Sequence, residues 1–68
     1  MINLRVTIEK TNKQLEFGRP FGSALLLLRE LAISPDSVLV VRNGEVILSE
    51  EALSETDEVV LLSVVSGG

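Results

Sequence analysis

The stretch that decides the fold is residues 59–68, which reads Val59-Val60-Leu61-Leu62-Ser63-Val64-Val65-Ser66-Gly67-Gly68. Its first seven residues are almost all apolar, and this favours a strand that is buried on both faces. The last three are small. Glycine loses the most backbone freedom on folding, so a Gly-Gly pair adds nothing to a core. The pattern predicts a well-anchored last strand, Val59 to Val65, and a thin tail after it.

Four more strands are predicted before this one. Residues 2–9 alternate between apolar and polar, as a half-buried strand does, and residues 14–17 alternate again after a polar turn, so residues 1–17 predict a hairpin. Asn43-Gly44 is a strong two-residue hairpin signal between the apolar runs 38–41 and 46–48. The polar stretch 49–57 contains Ala52 and Leu53, which predict a short turn of helix.

One amphipathic helix is predicted in the middle of the chain. Ser23 is a plausible N-cap, and the helix is expected to run through Leu31 or Ala32 before Ser34-Pro35 turns the chain. Leu26 falls on the polar side of this helix and is expected to be exposed. The apolar stripe comprises Ala24, Leu25, Leu27, Leu28 and Leu31.

The element order is therefore ββ–α–ββ–β. It predicts an α+β fold, with a mixed five-stranded sheet and one helix packed on one face. Residues 1–65 form the domain and residues 66–68 form the tail. The last strand is apolar on both faces, which the first strand is not, so we expect it to lie centrally beside the first.

A single helix covers only one face of this sheet. In the last strand we expect Val59 and Leu61 to point inward and Val60, Leu62 and Val64 to point outward. An apolar patch on a small charged domain predicts a surface for a partner protein.

Composition excludes several functions. The 68 residues include no cysteine and no histidine, so there is no thiol nucleophile, no thiolate metal site and no imidazole acid–base group. The net charge is −4, and residues 35–68 hold seven acidic residues against one cation, Arg42. This acidic balance disfavours direct nucleic-acid binding. No apolar run is long enough to cross a membrane. The sequence predicts a domain that is not itself an enzyme, and a monomer.

The length, the element order and above all residues 57–68 resemble the ThiS/MoaD group of sulfur carriers, within the ubiquitin-like β-grasp superfamily. The similarity covers essentially the whole chain. Its specific part is the ending: an acidic turn at Asp57-Glu58, an apolar strand, Ser66 and a terminal Gly67-Gly68. The chain is nearer in length to the compact ThiS type than to MoaD.

This resemblance implies a mechanism in which Gly68 is the reacting residue and Ser66 and Gly67 deliver it. An E1-like adenylyltransferase of the ThiF/MoeB type would adenylate Gly68 with ATP and Mg²⁺. A sulfurtransferase or cysteine desulfurase would then supply sulfur, and an acceptor synthase would receive it from a thiocarboxylate. The chain itself would bind no cofactor and no metal, and would work in the cytoplasm.

Two other functions stay open. The same ending fits a ubiquitin-like modifier that is joined to lysines through Gly68, and self-conjugation could then use only Lys10, Lys13 or the N-terminal amine. The domain could also be a plain interaction module with an incidental Gly-Gly. The resemblance does not distinguish thiamin thiazole, molybdopterin and tRNA thiouridine as the destination of the sulfur.

Overall fold

A computed structural model describes residues 3–64 of the chain. Within them, five strands and one α-helix occur in the predicted order, with one short 3₁₀ helix between the α-helix and the third strand. The elements are β1 (Leu4–Ile8), β2 (Lys13–Phe17), α1 (Ala24–Glu30), the 3₁₀ helix (Pro35–Ser37), β3 (Val38–Arg42), β4 (Glu45–Ile47) and β5 (Glu58–Ser63).

The strands form one mixed sheet in the order β2-β1-β5-β3-β4. The last strand lies in the middle, parallel to β1 and antiparallel to β3, and the other neighbouring pairs are antiparallel. The predicted central position of the last strand is therefore confirmed, as is the α+β class with a five-stranded mixed sheet and one helix. Parallel pairing of β1 with β5 requires a long crossover, which α1 and the segments around it provide.

The core lies between α1 and one face of the sheet. Val59 and Leu61 of β5 are 0% and 1% exposed, which confirms that these two point inward. The fully buried residues that meet them include Leu4, Val6, Ala24, Leu27 and Leu28. Leu26 is 47% exposed, as its place on the helix predicts.

The ends of α1 follow local chemistry. Ser23 is the N-cap, and its hydroxyl oxygen accepts a hydrogen bond from the Leu26 backbone N–H at 3.3 Å. The helix ends at Glu30, one or two residues earlier than predicted, because Ala32 adopts a left-handed φ of 58° that no helix continues through.

The predicted helical turn at Ala52 and Leu53 is wrong. Leu53 instead forms an antiparallel bridge with Phe21, and each residue's N–H donates to the other's carbonyl oxygen at 2.9 Å. Leu53 is 1% exposed, so its side chain closes the core beside the start of α1. Arg42 also donates to the Ala52 carbonyl oxygen at 2.8 Å, which ties this segment to β3. These tertiary hydrogen bonds take the backbone groups that a helix would need.

The last strand ends earlier than predicted. β5 stops at Ser63, and the N–H of Val64 donates to the Ser37 carbonyl oxygen in the 3₁₀ helix at 3.0 Å. The predicted continuation to Val65 lies outside the described residues, as do Ile2 and the tail, residues 66–68.

Candidate functional site

The sheet face away from α1 carries the candidate partner surface. Val60 lies opposite Val41 in the β3–β5 register, and Val41 lies opposite Val46 in the β3–β4 register. Leu62 lies opposite Leu39. Residues directly opposite each other share a face of a sheet, so these five side chains form two neighbouring rows. We call this set the outer patch: Leu39, Val41, Val46, Val60 and Leu62.

The outer patch is open to solvent over much of its area. Leu39 and Val46 are 42% and 63% exposed, and Val41, Val60 and Leu62 are half-buried. Leu48, just after β4, is 66% exposed and extends the apolar surface. Apolar side chains that adjoin across three strands of a small acidic domain are typical of a protein interface.

The sequence predicts Val60 and Leu62 on this face, together with alternate members of Val38–Val41, but it did not predict the contribution of β4. The signal was present in the Asn43-Gly44 hairpin. A two-residue turn fixes the register, and this register sets Val46 opposite Val41. Once Val60 is placed outward in a central strand, its neighbours across β3 and β4 follow.

Val64 was predicted to continue the outward set. It is half-buried and lies one residue beyond β5, opposite Ser37 in the continued β3–β5 register. It lines a cavity together with Leu61 and Ser63.

The base of the tail is held firmly on both sides. On one side, β5 is paired with β1, and the Glu9 N–H donates to the Leu61 carbonyl oxygen at 3.1 Å. On the other side, β5 is paired with β3 as far as Ser63, and the Val64 N–H then donates to the Ser37 carbonyl oxygen. Ser66, Gly67 and Gly68, the residues predicted to carry the chemistry, lie outside the described residues.

Negative charge gathers at the end of the sheet opposite the tail. Asp57 directly precedes β5, Glu58 is the first residue of β5, and Glu45 is the first residue of β4. The starts of these two strands lie at the same end of the sheet, because the N–H of Asn43 in the β3–β4 turn donates to the Glu58 carbonyl oxygen at 2.8 Å. This end of the sheet also holds the exposed Arg5, which lies opposite Glu58 in the β1–β5 register, so the border of the outer patch here is charged with an acidic excess.

A cavity of about 440 Å³ lies at the start of α1, beside Arg19 and Phe21. The Arg19 guanidinium stacks on the Phe21 ring at 4.5 Å from its centre and bonds to Glu30 at 3.2 Å. Both are ordinary surface contacts of an arginine, and they engage the group that would otherwise recognise an anion.

Within residues 3–64, no three acidic side chains are grouped so that they could hold a metal ion. No helix in the same part of the chain is long and apolar enough to cross a membrane. The described residues thus present an exposed apolar face, which is a candidate docking surface, and a last strand that is paired on both sides.

A small β-grasp domain with these two features fits the class of protein carriers that work through their last residues. The model for the ThiS family matches residues 6–68, so the chain belongs to the ThiS family. It is also 32% identical over 60 residues to the sulfur carrier protein TtuB of Thermus thermophilus, and the matched region covers 88% of each chain. The resemblance to ThiS/MoaD-type sulfur carriers is thereby confirmed.

Proposed function

We propose that the chain carries sulfur as a thiocarboxylate on Gly68. The observation that carries this proposal is the family match, which runs through the Gly67-Gly68 ending. The central, doubly paired β5 supports it, because a tail that must enter another protein's active site needs a firmly held base.

The chemistry starts from a carboxylate, which is a poor electrophile. An oxygen of the Gly68 carboxylate attacks the α-phosphorus of ATP, pyrophosphate leaves, and an acyl-adenylate forms. The terminal sulfur of a partner's persulfide then attacks the acyl carbon and AMP leaves. A thiol cleaves the resulting S–S bond, so that a disulfide is released and the thiocarboxylate remains on Gly68. This sulfur is the group that an acceptor synthase receives.

The carrier's own contribution is positioning. The outer patch docks on a partner. Few residues separate the end of β5 at Ser63 from Gly68, so docking keeps the reacting carbon near the partner's active site. Holding two reactants together in this way converts a bimolecular step into an effectively unimolecular one. The nucleotide, the Mg²⁺ and the persulfide belong to the partners: an E1-like adenylyltransferase, a sulfurtransferase or cysteine desulfurase, and the acceptor synthase. We propose that this sulfur transfer takes place in the cytoplasm, and that the sulfur is incorporated into thiamin thiazole, molybdopterin or thiolated tRNA.

The test is the intact mass of the chain after incubation with its activating enzyme, ATP, Mg²⁺ and a persulfide donor. We expect one oxygen to be replaced by sulfur, and no change when ATP is left out. An unchanged mass with an activating enzyme that demonstrably releases pyrophosphate would contradict the proposal. Recovery of branched peptides joining Gly68 to lysines, with no thiocarboxylate, would instead favour the ubiquitin-like modifier.

A further inference from the structure

A second surface lies at the end of the sheet where β5 leads to the tail. It is a cavity of about 450 Å³ between the end of α1, the β1–β2 turn and the end of β5. Its apolar lining includes Ile8, Leu31, Ile33, Val38 and Leu61, of which Leu61 is buried and the others are partly buried. The cavity is therefore large enough, and apolar enough at its floor, to accept a side chain from another protein.

The rim of this cavity is basic. Lys10 and Lys13 both line it, and they are the only lysines in the chain. Both are exposed. The ion pairs found among residues 3–64 involve Arg19 and Arg42, and neither lysine. Two ammonium groups thus border an apolar floor without a carboxylate of the described residues against them.

The position of the cavity relative to the tail decides what can reach it. β5 runs parallel to β1, so its end lies at the same end of the sheet as the β1–β2 turn that holds Lys10. Val64, the last described residue, itself lines the cavity. An enzyme that binds the chain at and beyond Val64 therefore works next to this rim.

We propose that this cavity is a docking site for the enzyme that activates Gly68. That enzyme would insert an apolar side chain, flanked by carboxylates that pair with Lys10 and Lys13. The proposal rests on the proposed function, and it adds a contact separate from the outer patch. Charge complementarity argues for an acidic partner segment here, because Lys10 and Lys13 are the charged residues that line the cavity. Glu9 and Asp36 lie at the same end of the sheet but are not among the lining residues, and Glu45, Asp57 and Glu58 lie at the opposite end. The two lysines then help to orient the carrier with its C-terminal end toward the enzyme. Charges at the rim of an interface mainly affect the rate of association and the register in which the partners dock.

The first experiment reverses the rim charge. In the activation assay with the cognate adenylyltransferase, we expect Lys10→Glu/Lys13→Glu to raise the KM for the carrier about tenfold, as two exposed ion pairs allow. We expect kcat to stay unchanged and the difference to shrink at high salt. Lys10→Arg/Lys13→Arg should keep the wild-type KM. Arg29→Glu, an exposed charge reversal on α1, is the control for a general effect of net charge.

The second experiment fills the cavity. Ser63 is exposed and lies on the rim, so Ser63→Phe should place a ring over the apolar floor and raise KM without the salt dependence of the lysine variants. Ser63→Ala removes the hydroxyl without filling the space and should leave KM unchanged. Thermal unfolding of each variant checks that the fold is retained.

The outcomes separate this inference from the function on which it rests. A wild-type chain that is never adenylated would overturn the proposed function, and this inference with it. A wild-type chain that is adenylated normally, with lysine and Ser63→Phe variants whose KM moves no more than that of Arg29→Glu, would overturn the cavity as a docking site alone.

Discussion

At the scale of single residues, Asn43 holds the start of β5 in place. Its backbone takes a left-handed φ of 52° in the β3–β4 turn. Its side-chain amide donates to an Asp57 carboxylate oxygen at 2.9 Å, and its side-chain oxygen accepts from the Glu58 N–H, also at 2.9 Å. One residue therefore joins two turns at the acidic end of the molecule.

Substitution of Asn43 separates the contribution of its left-handed backbone from that of its side-chain hydrogen bonds. Asn43→Gly keeps the left-handed backbone and loses the side-chain hydrogen bonds, so we expect it to lower the free energy of unfolding by about 1–2 kcal/mol. Asn43→Ala loses the same hydrogen bonds and, unlike the glycine variant, keeps a Cβ in the left-handed region, so it should cost about 1 kcal/mol more than Asn43→Gly. Urea unfolding measures both.

The control for Asn43 is Asn12, in the β1–β2 turn. Asn12 has a φ of 54°, and no side-chain hydrogen bond joins it to the rest of residues 3–64. Asn12→Gly should therefore leave the free energy of unfolding nearly unchanged. Equal losses for Asn43→Gly and Asn12→Gly would show that the bonds to Asp57 and Glu58 do not stabilise the fold.

At the scale of the elements, β5 contributes to the core on one face, and we propose that its other face docks on a partner. Leu61 is 1% exposed in the core, whereas Leu62 is half-buried in the outer patch. Leu61→Ala should lower the free energy of unfolding by about 3 kcal/mol because it leaves a cavity. Leu62→Ala should cost clearly less, and Leu62→Asp should weaken binding to the activating enzyme while the chain stays folded.

Chemical denaturation and a binding titration, run on the same three variants, test this division of β5. Undiminished binding of Leu62→Asp would show that the outer patch is not the docking face. A loss of stability for Leu62→Ala as large as that for Leu61→Ala would show that both faces of β5 are part of the core.

Much of this architecture follows from local pattern. The alternation in β1, the N-cap at Ser23 and the Asn43-Gly44 hairpin are each specified by neighbours in sequence, and so they are predictable. The doubly apolar character of residues 59–65 gave the central position of β5. These features also placed Val60 and Leu62 on the outer face.

What the sequence did not predict depends on contacts between distant segments. The bridge of Leu53 with Phe21 joins residues 32 positions apart, so the polar context of residues 49–57 could not reveal it. The bond from the Val64 N–H to the Ser37 carbonyl oxygen, which continues the β3–β5 register into the 3₁₀ helix, also joins segments that are distant in sequence. The cavity beside Lys10 and Lys13 likewise forms only when the β1–β2 turn, α1 and β5 meet.

At the scale of the whole molecule, the described part of the chain has a clear direction. The outer patch covers one face and α1 the other, the acidic residues before β5 gather at one end, and the route to Gly68 leaves from the opposite end. In the proposed function, docking, orientation and delivery would therefore use different parts of one small domain. The predicted division into a domain of residues 1–65 and a tail of residues 66–68 is the simplest way to combine a folded domain that docks with a C-terminal residue that reacts.

This division predicts that folding and activation can be uncoupled. Deletion of Gly67 and Gly68 should leave the thermal midpoint unchanged, because glycine has no side chain to bury in a core. Binding through the outer patch should persist, although weakened. Release of pyrophosphate by the activating enzyme should disappear, since Gly68 supplies the attacking carboxylate.

The informative comparison is this deletion beside Leu62→Asp. In a carrier, the deletion removes chemistry while much of the binding remains, and Leu62→Asp weakens binding while the tail can still react at high carrier concentration. If pyrophosphate release survives the deletion, Gly68 is not the reacting residue and the Gly-Gly ending is incidental. A large drop in the thermal midpoint on deletion would instead show that the last residues belong to the folded domain.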